Sequence, residues 1–130
     1  MKNKVIIITG ASSGIGKALA LECARRGARL SLAARDMSKL RETAAQLKES
    51  GYESLLVQTD VSIESQCKNL IDKTMETYGR IDVLINNAGI SMRAIFEEVD
   101  LDVIRKLMDT NFWGTAFCTK YAFQIGRAHV

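Results

Sequence analysis

Thr9-Gly10-Ala11-Ser12-Ser13-Gly14-Ile15-Gly16 follows directly on the apolar run Val5-Ile6-Ile7-Ile8. A β-branched run of that kind, from Val5 to Thr9, reads as a strand buried on both faces of a parallel sheet. Beyond it the period changes: Ile15, Leu19 and Cys23 recur at helical spacing, and Gly27 ends the stretch. The octapeptide is therefore a strand-to-helix turn. Glycines in such a turn let backbone amides approach an anion at the positive end of a helix, which suits the pyrophosphate of a dinucleotide. Gly10, Gly14 and Gly16 follow G-x-x-x-G-x-G rather than G-x-G-x-x-G, and the strand before and helix after give the pattern its weight. Tight turning at Gly10 and close packing at Gly16 explain the glycines without any ligand. They leave Ser12 and Ser13 unexplained, whose hydroxyls are placed to meet a phosphate or cap the helix.

Outward from this turn, strand-like runs and helical stripes alternate. Leu30 to Ala34 reads as a second strand, and Leu40, Ala44 and Leu47 as a helical stripe ended by Gly51. Leu55-Leu56-Val57 makes a third strand. Ser62 is expected to cap the next helix, with Ile63, Cys67, Leu70, Ile71, Thr74 and Tyr78 on one face up to Gly79. Ile81 to Ile85 is the fourth strand. From about Asp100 to Phe123 a longer helix turns Ile104, Met108, Phe112 and Thr115 inward. This βαβαβαβα order, without proline or low-complexity linker, calls for an α/β parallel sheet covered by helices on both faces. Strand order 3-2-1-4 is expected, which makes strand four an edge and the chain as given prone to aggregate.

Composition narrows the function. With 130 residues, 47% hydrophobic and 25% charged, the chain fits one globular domain. Its 18 basic and 15 acidic residues leave a net charge of +3 and are spread along the sequence, which argues against nucleic acid as a partner. Cys23, Cys67 and Cys118 lie far apart and the sole histidine is His129, so neither a zinc site nor a disulfide framework is indicated. The first apolar run is too short for a signal peptide or a membrane span, and a cytoplasmic location is the expectation.

The choice of dinucleotide turns on the end of the second strand. Asp36 lies about 20 residues past the glycine turn, where a carboxylate would accept from a ribose 2′-OH. Arg35 offers a guanidinium for a 2′-phosphate instead, and favours NADP(H) over NAD(H). Without a ligand, Arg35 is a solvated surface arginine and Asp36 an N-cap. Asp60 and Val61 follow the third strand: the carboxylate is placed to accept from an adenine amino group and the valine to pack on the ring, or Asp60 simply begins the next helix. Asn86-Asn87-Ala88-Gly89 follows the fourth strand, and its amides and small residues suit a loop whose backbone passes close to a ligand. Asn111 shares a helical stripe with Met108 and Thr115, so it is either a structural buried amide or a functional one.

Taken together, TGASSGIG at 9–16, Asp60-Val61, Asn86-Asn87-Ala88-Gly89 and Asn111 closely resemble the short-chain dehydrogenase/reductase family over about the first 123 residues. The resemblance implies a Rossmann-like doubly wound parallel sheet, here ending after the fourth strand and the helix that follows. It implies that Gly10, Ser12, Gly14, Ile15 and Gly16 contact the pyrophosphate side. Asn87, Ala88 and Gly89 would lie beside the adenine ribose and nicotinamide end. Arg35 matches the arginine of NADP-preferring members. Asn111 matches the helix asparagine that holds a proton-relay water, making it the one catalytic candidate. Such enzymes move a hydride between nicotinamide and a small-molecule carbonyl or secondary alcohol, and a homo-oligomer is plausible for the complete protein.

The chain departs from that pattern at the chemistry. No Ser follows Ser91, and no Tyr is followed by Lys four residues on: Tyr52 leads to Leu56, Tyr78 to Asp82 and Tyr121 to Ile125. As given, it is expected to be inactive. Ile125-Gly126-Arg127-Ala128-His129-Val130 is also the in-frame translation of ATCGGAAGAGCACACGTC, part of a common sequencing adapter whose next triplet is a stop. Residues 124–130 are therefore expected to be a non-native tail on a partial NAD(P)-binding domain at 1–123. Two other readings stay open: a non-catalytic NADP(H)-binding or sensing module, and an interaction module presenting Trp113 and Phe117.

Overall fold

The computed structural model describes residues 2–12, 14–87 and 118–122. In chain order the elements are β1 (Val5–Thr9), α1 (Gly14–Arg25), β2 (Arg29–Ala34), α2 (Met37–Glu49), β3 (Ser54–Gln58), α3 (Glu64–Tyr78) and β4 (Val83–Ile85). Residues 118–122 are helical, and the rest of the expected long helix lies outside the described residues. The strands form one sheet in the order β3-β2-β1-β4, the expected topology. Every pairing is parallel: Val5 stands opposite Arg29, Leu30 opposite Ser54 and Ile6 opposite Val83. Such order requires crossovers, and the three helices supply them.

All residues of β1 are buried, and its side chains alternate between the two faces of the sheet. Ile6 and Ile8 join Leu30, Leu32 and Ala34 under α1 and α2, through Ala20, Cys23, Ala24, Leu40 and Leu47. Ile7, Ala33 and Val57 face the other way, against Cys67, Leu70 and Ile71 of α3 and Cys118 of segment 118–122. Each fully buried isoleucine contributes about 1.5–3 kcal/mol relative to exposure. The polar groups enclosed with them are paired. Thr74 Oγ1 donates to the Leu70 carbonyl at 2.8 Å, so Ser31 Oγ, 2.7 Å away, is the donor to Thr74.

Three local expectations are corrected. In α1 the inward stripe is Gly16, Ala20, Cys23 and Ala24, while Ile15 is 71% exposed. Small residues let this helix lie close on the sheet, and an isoleucine on that face would hold it off. Ser62 does not cap α3: the N-cap is Ile63, 41% exposed and with no side-chain cap bond. The Ser62 hydroxyl donates instead to Asp60 Oδ1 at 2.7 Å, a local side-chain bond that competes with capping. β4 starts at Val83 rather than Ile81, because Asp82 enters the ladder sideways. Its Oδ2 accepts from Val5 N at 2.8 Å while its own N–H donates to the Val5 carbonyl at 2.9 Å.

Candidate functional site

Chain order reverses between β1 and β4, so the connections leaving these neighbouring strands diverge and open a crevice at their carboxyl ends. The turn from β1 into α1 sits at that point. Gly10 and Gly14 have φ of 65° and 58°, the left-handed region that a Cβ penalises. Gly16 is required for a different reason: a Cβ there would collide with the Gly10 carbonyl and lie 2.5 Å from Asn87 Nδ2. A Cβ built at Gly14 meets nothing within 4 Å, so the start of α1 opens outward. No acidic residue occupies the first turn of α1, so no carboxylate of that turn neutralises the positive end of the helix. This cradle fits a dinucleotide's pyrophosphate.

Hydrogen bonds from three sides fix the turn. Ala11 N donates to the Ala33 carbonyl and Thr43 Oγ1 to the Ala11 carbonyl, each at 3.1 Å. Asn87 Nδ2 donates to the Gly10 carbonyl at 3.3 Å, and Asn87 N to Thr9 Oγ1 at 2.9 Å. Thr9 Oγ1 in turn donates to the Ile85 carbonyl at 3.4 Å. Asn87 thus ties the ends of β1 and β4. Thr9 and Thr43 were not singled out in advance. Thr43 did carry a signal, being a polar residue on the inward stripe between Leu40 and Leu47.

At the exits of β2 and β3, an open cleft of about 420 Å³ is lined by Arg35, Gln58, Asp60, Ile63 and Gln66. Arg35 is exposed, and Gln58 Nε2 holds its carbonyl at 3.0 Å. Asp36 is the N-cap of α2, its Oδ1 accepting from Lys39 N at 3.1 Å, so the capping role is the one observed. Asp60 faces the cleft with its backbone N–H donating to Gln66 Oε1 at 2.7 Å and its Oδ1 accepting from Ser62 N at 3.0 Å. Val61 is 5% exposed and packs with Cys67 in the apolar cluster on the α3 side of the sheet. Gln58 at the end of β3 and Gln66 in the first turn of α3 were missed, since single neutral amides carry no spacing signal.

Ser12 is half-buried beside the cradle, and Ile15 stands exposed at its mouth. Ser13, Ala88, Gly89 and Asn111 lie outside the described residues. Two tyrosines are structural: Tyr78 donates its hydroxyl to the Leu30 carbonyl at 2.9 Å, with its pKa raised by burial, and Tyr121 donates to Glu64 Oε1 at 3.3 Å. Among the described residues no cluster of three or more His, Cys, Asp or Glu could hold a metal ion, and no helix is long and apolar enough to cross a membrane.

Residues 4–127 match the model of the short chain dehydrogenase family. The chain belongs to that family. It is 47% identical over 123 residues to 11-beta-hydroxysteroid dehydrogenase A of Arachis hypogaea, covering 93% of this chain and 35% of the relative. Against 11-beta-hydroxysteroid dehydrogenase 1A of Arabidopsis thaliana it is 44% identical over 121 residues, 92% of this chain and 35% of the relative. Among solved structures, a short chain dehydrogenase/reductase from Burkholderia phymatum, determined in complex with NAD, superposes with a TM-score of 0.87. That match is 31% identical and covers 98% of this chain and 46% of the other. A short-chain type dehydrogenase/reductase from Mycobacterium marinum gives a TM-score of 0.87 at 33% identity, covering 95% of this chain and 50% of the other. The short-chain dehydrogenase chain thus spans about a third of the length of the curated relatives it matches, 35% for both plant proteins.

Proposed function

We propose that residues 1–123 are the coenzyme-binding part of an NADP(H)-dependent oxidoreductase, followed by a non-native tail at 124–130. When bound, the nicotinamide supplies the hydride chemistry, with a carbonyl or secondary-alcohol carbon as the other party. The residues of this chain bind and orient. Backbone amides of the turn at Gly10, Gly14, Ile15 and Gly16, with the hydroxyls of Ser12 and Ser13, receive the pyrophosphate. Arg35 meets the 2′-phosphate with a charge-assisted hydrogen bond, and Asp60 takes the adenine amino group. Asn87, Ala88 and Gly89 border the nicotinamide end, and Asn111 holds a proton-relay water. Lacking a Tyr-x-x-x-Lys, the chain by itself does not turn over substrate. The names of the plant relatives make a steroid secondary alcohol the first substrate class to assay for the complete protein.

The observation that carries this reading is the cradle: Gly16 pressed against the Gly10 carbonyl, with the uncompensated start of α1 opening into the crevice. Support for NADP(H) comes from the commitment of Asp36 to the cap of α2 while Arg35 lines the cleft. Titrating the complete protein with NADPH and NADH by nicotinamide fluorescence tests both levels. Removing a hydrogen bond to a charged group costs about 1.5–3 kcal/mol, so Arg35→Ala is expected to weaken NADPH roughly 10- to 100-fold and leave NADH unchanged. Unchanged NADPH affinity ends the coenzyme preference, and no response to either coenzyme ends the reading.

A further inference from the structure

Two side chains in the cleft at the exits of β2 and β3 are each tied down at one atom and open at the other. Gln66 Oε1 accepts from Asp60 N at 2.7 Å. Asp60 N is a donor, so the oxygen end of the Gln66 amide must face it and the NH2 end is left over. Asp60 Oδ1 accepts from Ser62 N at 3.0 Å and from the Ser62 hydroxyl at 2.7 Å, which leaves Oδ2. Among the described residues neither Gln66 Nε2 nor Asp60 Oδ2 has a hydrogen-bond partner. Both residues are half-buried and both line the cleft. Helix capping does not account for Gln66. A capping box would send its amide back to the N-cap N–H, whereas Ile63 N donates to the Asp60 carbonyl at 3.0 Å. A donor and an acceptor are thus presented by two residues already bonded to each other, and Ile63, 41% exposed, adds an apolar side chain to the same wall.

We propose that Gln66 is a specificity-determining residue of the coenzyme site, reading the base together with Asp60 so that adenine is accepted and a 6-oxopurine is refused. The inference rests on the coenzyme reading above, which seats the adenine end in this cleft. Adenine carries an amino group flanked on either side by a ring nitrogen that accepts, so an acceptor beside a donor is its complement. Asp60 Oδ2 accepts from the amino group and Gln66 Nε2 donates to the ring nitrogen next to it, two contacts that a single Asn or Gln makes where one side chain reads adenine. Hypoxanthine has a carbonyl oxygen in place of the amino group and an N–H at N1. Its carbonyl oxygen would face Asp60 Oδ2, acceptor against acceptor, and its N–H would face the Gln66 NH2, donor against donor. Sliding the base by one atom would restore the match, and a pyrophosphate held in the cradle at Gly10, Gly14 and Gly16 opposes the slide. Unmatched polar groups in a cleft built to pair them are what makes rejection strong.

The complete protein is titrated by nicotinamide fluorescence with NADPH and with the analogue in which hypoxanthine replaces adenine, and urea midpoints check that each variant folds. The corresponding NADH pair, run alongside, keeps the result independent of the 2′-phosphate. The parent is expected to bind the adenine coenzyme roughly 5- to 150-fold more tightly than the hypoxanthine one, the discrimination that a paired base contact gives. Gln66→Glu separates reading from support. Glutamate still offers an oxygen to Asp60 N but puts an acceptor where the amide had its donor, so the preference is expected to shrink about 5-fold or more. Gln66→Met, which loses both ends of the amide, is expected to shrink it as well. A parent that binds the two bases equally, or a Gln66→Glu variant that folds and keeps the parent's ratio, overturns the proposal, and tight coenzyme binding in either case leaves the cradle reading standing. No response to any of the four coenzymes removes the coenzyme reading and this inference with it.

Discussion

Gly16 has no room for one more carbon, because the atom its Cβ would strike is backbone carbonyl rather than the end of a flexible side chain. Gly14, two residues earlier, has open space and a φ of 58°, so its constraint is conformational. The two positions therefore answer differently to the same substitutions. Gly16→Ala is expected to cost about 1–3 kcal/mol by overpacking, and Gly16→Asn at least as much. Gly14→Ala costs roughly 1–2 kcal/mol of left-handed strain, and Gly14→Asn recovers part of it because Asn tolerates that region. Urea midpoints of the four variants check this, and a Gly16→Asn milder than Gly16→Ala contradicts it. The need for glycine at both places was legible from the motif. Arg35 and Asp36 were not separable in the same way, since adjacent polar residues at a strand exit are told apart by which one finds a helix amide. Asp36 found Lys39 N.

Asp82 shows what a pattern of apolar residues cannot reveal about an element. Val5 to Thr9 read correctly as a buried strand because every side chain in it is apolar or β-branched and every one is enclosed. The same reading extended β4 to Ile81, blind to a carboxylate standing in for a ladder acceptor at Val5 N. Ser62 was misread for a related reason: capping rules weigh the helix amides from which a hydroxyl can accept, and this hydroxyl donates to the Asp60 carboxyl group. The Arg80 guanidinium, 2.5 Å from Asp82 Oδ1, is the main cause that holds the Asp82 carboxyl below its ordinary range, with the Val5 amide adding to it. A group whose folded pKa lies below its unfolded value stabilises the fold above the unfolded pKa, near 3.9 for Asp, and stops doing so as pH falls through the folded value. Asp82→Asn is therefore expected to be less stable than the parent at neutral pH, with the gap closing below about pH 4. Urea midpoints across that range measure it. A gap of constant size down to about pH 2 would remove Asp82 from the acid response.

At the scale of the whole molecule, the sheet is unequally enclosed. All residues of β1 are buried, whereas β4 has three residues, none of them fully buried, and Val83 is 42% exposed. Among the described residues β4 pairs with β1 alone, so its other side presents backbone donors and acceptors beside an apolar surface. Two copies of the chain can satisfy those groups by pairing edge to edge, and the sequence there, Val83-Leu84-Ile85, has no charge or proline to discourage it. The 130-residue chain is accordingly expected to self-associate with rising concentration. Val83→Lys should shift it toward monomer, because a lysine on an edge strand opposes close approach of a second copy and Val83 already reaches solvent. Leu84 and Ile85 pack against the two opposite cores, so charge at either would damage the fold and confuse the readout. Light scattering across a concentration series distinguishes the variants. A parent chain that stays monomeric and melts cooperatively contradicts edge pairing, and so does a Val83→Lys variant that associates as strongly as the parent.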